Sequence, residues 1–213
     1  MMGDICAHFT WQRAGLEGAA ANKQKERRMP APFRRLTLRE FEAEVHAFSW
    51  TRRVWRVDMH HTWHPTHADY DGIGVIERMA AYHTRERGFD DIAQHVTIGP
   101  DGSVWTGRDW NKDPASVGFG MNVGVFMLEA IGNFDWGHDR LEGRQLDAVS
   151  SVIGFVQRHF RLPVQALLFH REVPQTAKTC PGSSVEKAEI LRLLAERRRQ
   201  NQPVDHGHSA LVA

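Results

Sequence analysis

Apolar and polar residues alternate along the chain with two different periods, which predict helices and strands from Thr37 onwards. The segment TLRE, residues 37–40, has the capping-box pattern that begins a helix, and apolar residues follow it at helical spacing as far as Phe48. Residues 54–59 alternate with the period of a strand and lead directly into a pair of histidines. A second helix is predicted over residues 73–87, with Gly88 as its end.

The second half of the chain shows the same mixture of periods. Residues 94–98 and 103–106 flank the turn-forming segment Pro100-Asp101-Gly102 and predict a β-hairpin. Residues 123–131 are an apolar run with few polar interruptions, which is typical of a central strand covered on both faces. A long amphipathic helix, a short strand and a final helix are predicted over residues 146–160, 166–169 and 184–199.

Together these elements predict a single α/β domain with a mixed central β-sheet flanked by helices. Residues 1–36 are predicted to be a poorly ordered lead, because they are polar and basic and show no sustained apolar period. The domain is predicted over residues 37–200, and residues 201–213 are predicted to be a flexible tail. No internal repeat is visible.

Composition narrows the classes of partner. The chain has 27 Lys and Arg residues against 26 Asp and Glu residues, which gives no general case for binding nucleic acid or a membrane. No apolar stretch approaches the roughly 18 residues of a membrane span, and the N-terminus lacks the apolar region of a signal peptide. The expected location is therefore the cytoplasm, with cell lysis or a secretion system as routes to a cell wall. Two cysteines, Cys6 and Cys180, are too few for a disulfide framework, although a bridge between them stays open.

Candidate metal ligands stand at the ends of two predicted strands. His60 and His61 follow the first, and strand geometry sends neighbouring side chains to opposite faces, so only one can point into a given site. His170 follows the later strand, and Cys180 comes ten residues after it. Two imidazoles and a thiolate suit Zn²⁺, with a fourth position left for water. The residues alone leave a second interpretation open, in which the histidines belong to a solvated loop and the cysteine is a small buried hydrophobe.

Four segments, in order, carry a resemblance to a known family: HHTWHPTH, GFDDIAQHVTIGPDGSVWTGRDWN, FMLEAIGNFD and FHREVPQTAKTCPG. They cover roughly residues 54–185 and resemble the N-acetylmuramoyl-L-alanine amidase family, which includes phage amidase-lysozymes, peptidoglycan recognition proteins and anhydro-muramyl peptide amidases. The resemblance implies the fold shared by amidases and peptidoglycan recognition proteins. It also implies that His60, His170 and Cys180 bind zinc, whereas His61 faces away and packs or hydrogen-bonds nearby.

The resemblance further implies two catalytic residues. Lys178 stands where catalytic members carry a lysine, and a cation there would stabilise the oxyanion formed when water attacks an amide carbonyl. Members with a DIGYH segment use its tyrosine as general base, but this chain has Gln94 there, which cannot take up a proton. The anhydro-muramyl amidases instead carry a glutamate in the central strand, and FMLEAIG puts Glu129 at that position.

We therefore expect Glu129 to be the general base and the chain to stand nearer to the glutamate-using branch of the family. A carboxylate inside an apolar strand is costly to bury unless it is paired or functional. The alternative is a strand edge, where the side chain would reach solvent.

The activity that these residues predict is zinc-dependent hydrolysis of the amide between N-acetylmuramic acid and L-alanine, in peptidoglycan or its fragments. Substrate contacts are expected from His61, Trp63, His64 and Asn122. The alternative is a non-catalytic peptidoglycan-binding module with the same fold. The sequence leaves open the choice between polymeric wall and soluble muramyl peptides, the specificity for the stem peptide, and the oligomeric state.

Overall fold

The computed structural model describes residues 33–118 and 120–200, so the predicted tail and nearly all of the predicted N-terminal lead lie outside the described residues. Within these ranges the chain forms six strands and four α-helices. The strands are β1 (Arg35–Leu36), β2 (Arg56–His61), β3 (Val96–Ile98), β4 (Val104–Thr106), β5 (Val125–Ala130) and β6 (Leu167–Phe169). The helices are α1 (Leu38–Ala47), α2 (Ile73–Ala81), α3 (Gly143–His159) and α4 (Lys187–Gln200). Among the described residues, none of the helices has the length and hydrophobicity of a transmembrane span.

All six strands belong to one mixed sheet, in the order β1-β4-β3-β5-β2-β6. The pairs β1–β4 and β4–β3 are antiparallel, and the second of these is the predicted hairpin. The pairs β3–β5, β5–β2 and β2–β6 are parallel. The single α/β domain with a mixed central sheet is thus confirmed, and every residue of β5 is buried, as predicted for a strand covered on both faces.

The strand ends differ from the prediction at one functionally important place. The prediction ended the first strand at residue 59, before the histidines, but β2 includes both His60 and His61. They remain in the strand because they pair with Glu129 and Ala130 of β5. The predicted helix over residues 73–87 is α2 followed by one π-helical turn, Tyr82–Glu86.

The two faces of the sheet differ in chemistry. One face contributes apolar side chains to the main core, which α1, α3 and α4 cover. Its members from the three central strands are Val57, Met59, Val96, Ile98, Phe126, Leu128 and Ala130. Because side chains alternate along a strand, the intervening positions face the other side, and there the same strands carry Asp58, His60, Thr97 and Glu129. The candidate chemistry therefore lies on the face that the three helices leave free.

The predicted capping box at the start of α1 is confirmed. Thr37 is the N-cap, and its hydroxyl oxygen accepts the backbone N–H of Glu40 at 3.2 Å. The carboxylate of Glu40 in turn accepts the backbone N–H of Thr37 at 2.7 Å. Two N–H groups that the helix cannot satisfy are paired in this way, and α1 is fixed where Phe41 and Val45 enter the core.

We expect the substitution Thr37→Ala to lower the free energy of unfolding by about 1 kcal/mol, because it removes the N-cap acceptor. The measurement is urea unfolding followed by circular dichroism. Thr84→Ala is the matched control, because the Thr84 hydroxyl is exposed and donates only to carbonyl oxygens of its own helix, chiefly that of Ala80. Equal losses in the two variants would contradict a specific capping contribution.

Candidate metal centre

Parallel pairing on both sides of β2 brings the predicted ligands together. Cα of His60 lies in register with Glu129 on β5, and on the other side β6 ends beside Met59. His170 is the first residue after β6, and its ring centroid is therefore only 5.0 Å from that of His60. Cys180 Sγ lies 3.4 Å from His60 Nδ1. All three side chains are buried, and their ligand atoms lie within 4.8 Å of one another, so this group could hold a metal ion.

The loop that carries Cys180 is fixed by its own contacts. The backbone N–H of Arg171 donates to the Cys180 carbonyl at 2.8 Å, and the Arg171 guanidinium donates to the carbonyls of Gly182 and Val185. Gly182 has φ +117°, and a Cβ there would stand 2.5 Å from the carbonyl oxygen of Phe134, so only glycine fits. The Cys-Pro-Gly segment is thus held on both sides. Cys180 is buried and forms no disulfide bond with another described residue, and Cys6 lies outside the described residues.

The electrostatics around His60 favour the neutral imidazole that metal binding requires. Burial lowers the pKa of His60 well below its usual value, and any positive charge on the neighbouring His170, His61 or Lys178 acts in the same direction. A neutral ring has one nitrogen with a free lone pair. In this site Nδ1 faces the cysteine sulfur.

Glu129 lies directly beside His60 on the polar face of the sheet. It is 3% exposed and belongs to a central strand, so the alternative of a solvent-reaching strand edge is excluded. On its other side Glu129 pairs with Thr97 of β3, whose hydroxyl oxygen accepts the side-chain amide of Gln94 at 2.8 Å. The predicted base and the predicted ligands are therefore neighbours, and the catalytic role of Glu129 stays a prediction.

A cavity of about 230 Å³ opens over this edge of the sheet, lined by His61, Trp63, Asp135, Ala177, Lys178, Thr179 and Cys180. His61 accepts the backbone N–H of Phe134 on Nδ1 at 3.2 Å. Burial lowers the pKa of His61 to about 4, so the ring is neutral and carries its proton on Nε2. The alternation along β2 turns His61 away from the face of His60, as predicted, yet the ring still reaches the cavity.

The predicted substrate residues differ in how they are placed. Trp63 lines the cavity and has φ +58°, a left-handed conformation that is costly for a side chain of this size. His64 packs edge-on against Trp63, with ring centroids 4.4 Å apart, and does not line the cavity. Asn122 accepts the backbone N–H groups of Val117 and Gly118 through its amide oxygen, and so closes a turn. The substrate contacts of these residues stay predictions.

Sequence reasoning missed two residues on the polar face of the sheet. Asp58 and Ser116 are both fully buried, and they form hydrogen bonds that lead to His60. The signal for Asp58 was present in the sequence, as a carboxylate within an apolar strand, two residues before a candidate ligand. Ser116 belongs to an irregular segment between β4 and β5, where no period could have identified it.

His95 shows how a histidine near the site serves the fold. Its Nδ1 accepts the backbone N–H of Met127 at 2.9 Å, so Nε2 carries the proton and donates to the Lys112 carbonyl at 2.9 Å. The ring stacks on Phe126, with centroids 4.9 Å apart. The neutral ring thus ties the segment before β3 to the central strand.

Fold and site together define an α/β protein with a buried His-His-Cys group at the carboxyl edge of a mixed sheet. The family model described as N-acetylmuramoyl-L-alanine amidase matches residues 50–183, more than half of the chain. The chain therefore belongs to this family, as its sequence segments implied. Its position nearer to the glutamate-using branch stays a prediction.

Relatives of known sequence or structure agree with this placement. Peptidoglycan-recognition protein SC1a/b of Drosophila simulans is 29% identical over 120 residues, which cover 52% of this chain and 58% of that protein. The match thus spans little more than half the length of this curated relative. A mutant of Drosophila peptidoglycan recognition protein LB, solved in complex with tracheal cytotoxin, is 29% identical with a TM-score of 0.56 and covers 67% of this chain and 83% of its own.

The fold alone is shared with a bacterial enzyme. The endolysin N-acetylmuramoyl-L-alanine amidase LysCS of Clostridium intestinale has a TM-score of 0.56 and 23% identity. The superposition covers 70% of this chain and 91% of that protein.

We expect His95 to make stability depend on pH. Burial lowers the pKa of His95 to about 3, from 6.5 in the unfolded chain. Below pH 6.5, His95 is therefore protonated in the unfolded chain but stays neutral in the folded protein. The free energy of unfolding consequently falls as the pH falls from 6.5 towards 3. The slope for one such group approaches about 1.4 kcal/mol per pH unit.

The measurement is the free energy of unfolding in urea at pH 7, 6 and 5, for wild type and for His95→Gln. The other buried histidines are common to both proteins and cancel in the difference. The stability advantage of wild type is expected to shrink as the pH falls. An advantage independent of pH would contradict the assignment of His95 as a buried neutral ring.

Proposed function

We propose that this chain is a zinc-dependent amidase that hydrolyses the bond between N-acetylmuramic acid and L-alanine in peptidoglycan or its fragments. One observation carries the proposal: three buried ligand atoms converge at a sheet edge, and the buried carboxylate of Glu129 stands in register beside one of these ligands. Membership of the amidase family supports the reaction class.

The donor set fits zinc. A tetrahedral Zn²⁺ with nitrogen at about 2.0 Å and sulfur at about 2.3 Å holds those two atoms about 3.5 Å apart. The separation of His60 Nδ1 and Cys180 Sγ is 3.4 Å. His170 completes three protein ligands, and a fourth position would remain for water, as in catalytic rather than structural zinc sites.

When bound, zinc would supply a Lewis acid that polarises the scissile carbonyl and makes water a better nucleophile at neutral pH. Glu129 takes the proton from the attacking water as its oxygen bonds to the carbonyl carbon. The carbon–nitrogen bond then breaks, and Glu129 passes the same proton to the departing amine nitrogen of L-alanine. The products are the lactyl carboxylic acid of the sugar and a peptide with a free amino group.

Two groups that line the cavity are suited to hold the carbonyl oxygen as it becomes negative. Lys178 carries a cationic ammonium, and His61 keeps a proton on Nε2 because Nδ1 is occupied by the Phe134 N–H. Donors that are already in place stabilise a developing oxyanion without reorganisation. Lys178 and His61 would therefore bind the transition state more strongly than the substrate.

The relatives and the conformation of Trp63 support a muramyl peptide as the substrate. A Drosophila relative of the same fold is known in complex with tracheal cytotoxin, and several relatives are named as peptidoglycan-recognition proteins. Trp63 holds a large aromatic side chain at the cavity in spite of a left-handed backbone, and such strain is found mainly at binding and active sites. We assign Trp63 to contact with the muramyl peptide.

Zinc binding tests the ligand set. Purified protein is expected to bind one Zn²⁺ per chain. The substitution Cys180→Ala is expected to weaken zinc affinity by more than about 100-fold, because removal of a ligand costs more than removal of a group that only hydrogen-bonds to a ligand. Competition with a chromophoric chelator measures the affinity. Cys6→Ala is the matched control and should bind zinc as wild type does. Equal affinity in wild type and Cys180→Ala would refute the site.

Glu129→Gln tests the general base. The variant keeps the shape of the side chain but cannot accept the proton, so we expect zinc to bind normally and turnover to fall by about 10²- to 10⁴-fold. Soluble muramyl peptides and intact sacculi are digested in parallel, and mass spectrometry detects the released peptides. Glu77→Gln, an exposed carboxylate on α2, is the control.

Near wild-type turnover by Glu129→Gln would show that another group is the base. Muramyl peptide binding by wild-type protein without any turnover would instead identify a recognition module. Absence of both binding and turnover would refute the proposed substrate class.

A further inference from the structure

A second carboxylate lies on the polar face of β2 and has no part in the proposed reaction. Asp58 stands two residues before His60, so the two side chains share one face of the strand. Asp58 is completely buried, and the guanidinium of Arg56 donates to it from Nε at 2.6 Å and from Nη2 at 3.2 Å. Burial of a carboxylate is costly even when it is paired, so this position calls for a functional account.

Ser116 connects Asp58 to His60. The Ser116 hydroxyl donates to Asp58 Oδ2 at 2.7 Å, and His60 Nε2 lies 2.8 Å from the same hydroxyl oxygen. A carboxylate only accepts hydrogen bonds, so the single hydroxyl proton of Ser116 points to Asp58. The hydroxyl oxygen must then accept from His60, and Nε2 of His60 must carry the ring proton.

This tautomer leaves the lone pair of His60 on Nδ1, the nitrogen that lies 3.4 Å from Cys180 Sγ. We propose that Arg56, Asp58 and Ser116 form a positioning relay that selects the Nε2–H tautomer of His60 and aims Nδ1 at the metal. The relay acts through His60, and none of its members touches the reacting atoms. The role that we assign to this relay rests on the proposed function of the zinc site. Its hydrogen bonds are observed independently of that function.

The relay also joins two separate parts of the chain. Asp58 and His60 belong to β2, whereas Ser116 belongs to the irregular segment between β4 and β5. Arg56 contributes to the same connection, because its Nη2 also donates to the Met121 carbonyl at 2.7 Å. In a relay of this kind, a group that does not touch the metal accepts a hydrogen bond from the second nitrogen of the imidazole ligand. This hydrogen bond fixes the orientation of the ring and raises its basicity towards a metal.

The first test needs no metal. In zinc-free wild-type protein, ¹H–¹⁵N correlation spectra of the histidine rings are expected to show His60 as the Nε2–H tautomer, identified by the loss of its signals in His60→Gln. In Ser116→Ala the same ring is expected to lose this single tautomer and show a mixture. An Nδ1–H tautomer in the wild type would overturn the proposal, whatever the variants do.

The second test measures zinc affinity by chelator competition. Ser116→Ala is expected to weaken zinc binding by about 10- to 100-fold, the usual effect of removing an outer partner of a ligand. Ser150→Ala is the matched control: Ser150 is also fully buried, but its hydroxyl donates to the carbonyls of Leu146 and Asp147 in its own helix and accepts from Arg197, and none of these residues is a proposed metal ligand. It should leave zinc affinity unchanged.

The outcomes separate this inference from the proposed function. If Ser116 only fastens the segment between β4 and β5, Ser116→Ala will lower the unfolding temperature and leave the His60 tautomer and zinc affinity unchanged, which would overturn the relay. If wild type shows the Nε2–H tautomer but binds no zinc, the relay geometry stands and the proposed function fails. If Ser116→Ala does not fold, the wild-type spectrum still decides.

Discussion

The parallel pairing of β2 with β5 on one side and β6 on the other is the constraint on which the site depends. It fixes Glu129 and His60 in register on neighbouring strands, and it delivers His170 from the end of the third strand to the same edge. Carboxyl ends of parallel strands meet at one edge of a sheet, where side chains from distant parts of the sequence converge. Only Cys180 arrives from a loop, and that loop is held by Arg171 and by the glycine packed against Phe134.

The unequal faces of the sheet explain how such a polar group is accommodated. Helices α1, α3 and α4 cover one face with apolar contacts, which supply the burial that drives folding. The other face carries buried ionisable side chains that would be costly without partners. Their partners are one another and the segment between β4 and β5, so the polar network and the apolar core occupy alternate positions of the same strands. The proposed relay from Arg56 through Asp58 and Ser116 to His60 is part of this polar network.

The sequence predicted the four α-helices, the strands from β2 onwards and the mixed sheet, because periodicity is a local signal, and its ordered motifs implied the grouping of His60, His170 and Cys180. It did not predict β1 (Arg35–Leu36), which lies in the segment expected to be a poorly ordered lead, because a strand of two residues is too short to show a period; only its pairing with β4 identifies it. It ended β2 two residues early, since only pairing with β5 shows that the histidines are strand residues. It did not identify Ser116. The hydrogen bond between Ser116 and Asp58 joins residues 58 positions apart, and the sequence around neither residue indicates such a long-range contact. Nor could it show that the Asn122 amide oxygen closes a turn, because asparagine suits turns and ligand contacts equally well.

In the proposed site, two histidine nitrogens and one cysteine sulfur hold zinc at this sheet edge. X-ray absorption at the zinc edge of the purified, zinc-loaded full chain tests it most directly, because the spectrum reports the ligand atoms themselves. With His60, His170 and Cys180 as ligands, one sulfur is expected at about 2.3 Å together with nitrogen or oxygen neighbours at about 2.0 to 2.1 Å. A zinc shell without sulfur, or with two or more sulfurs, would contradict it.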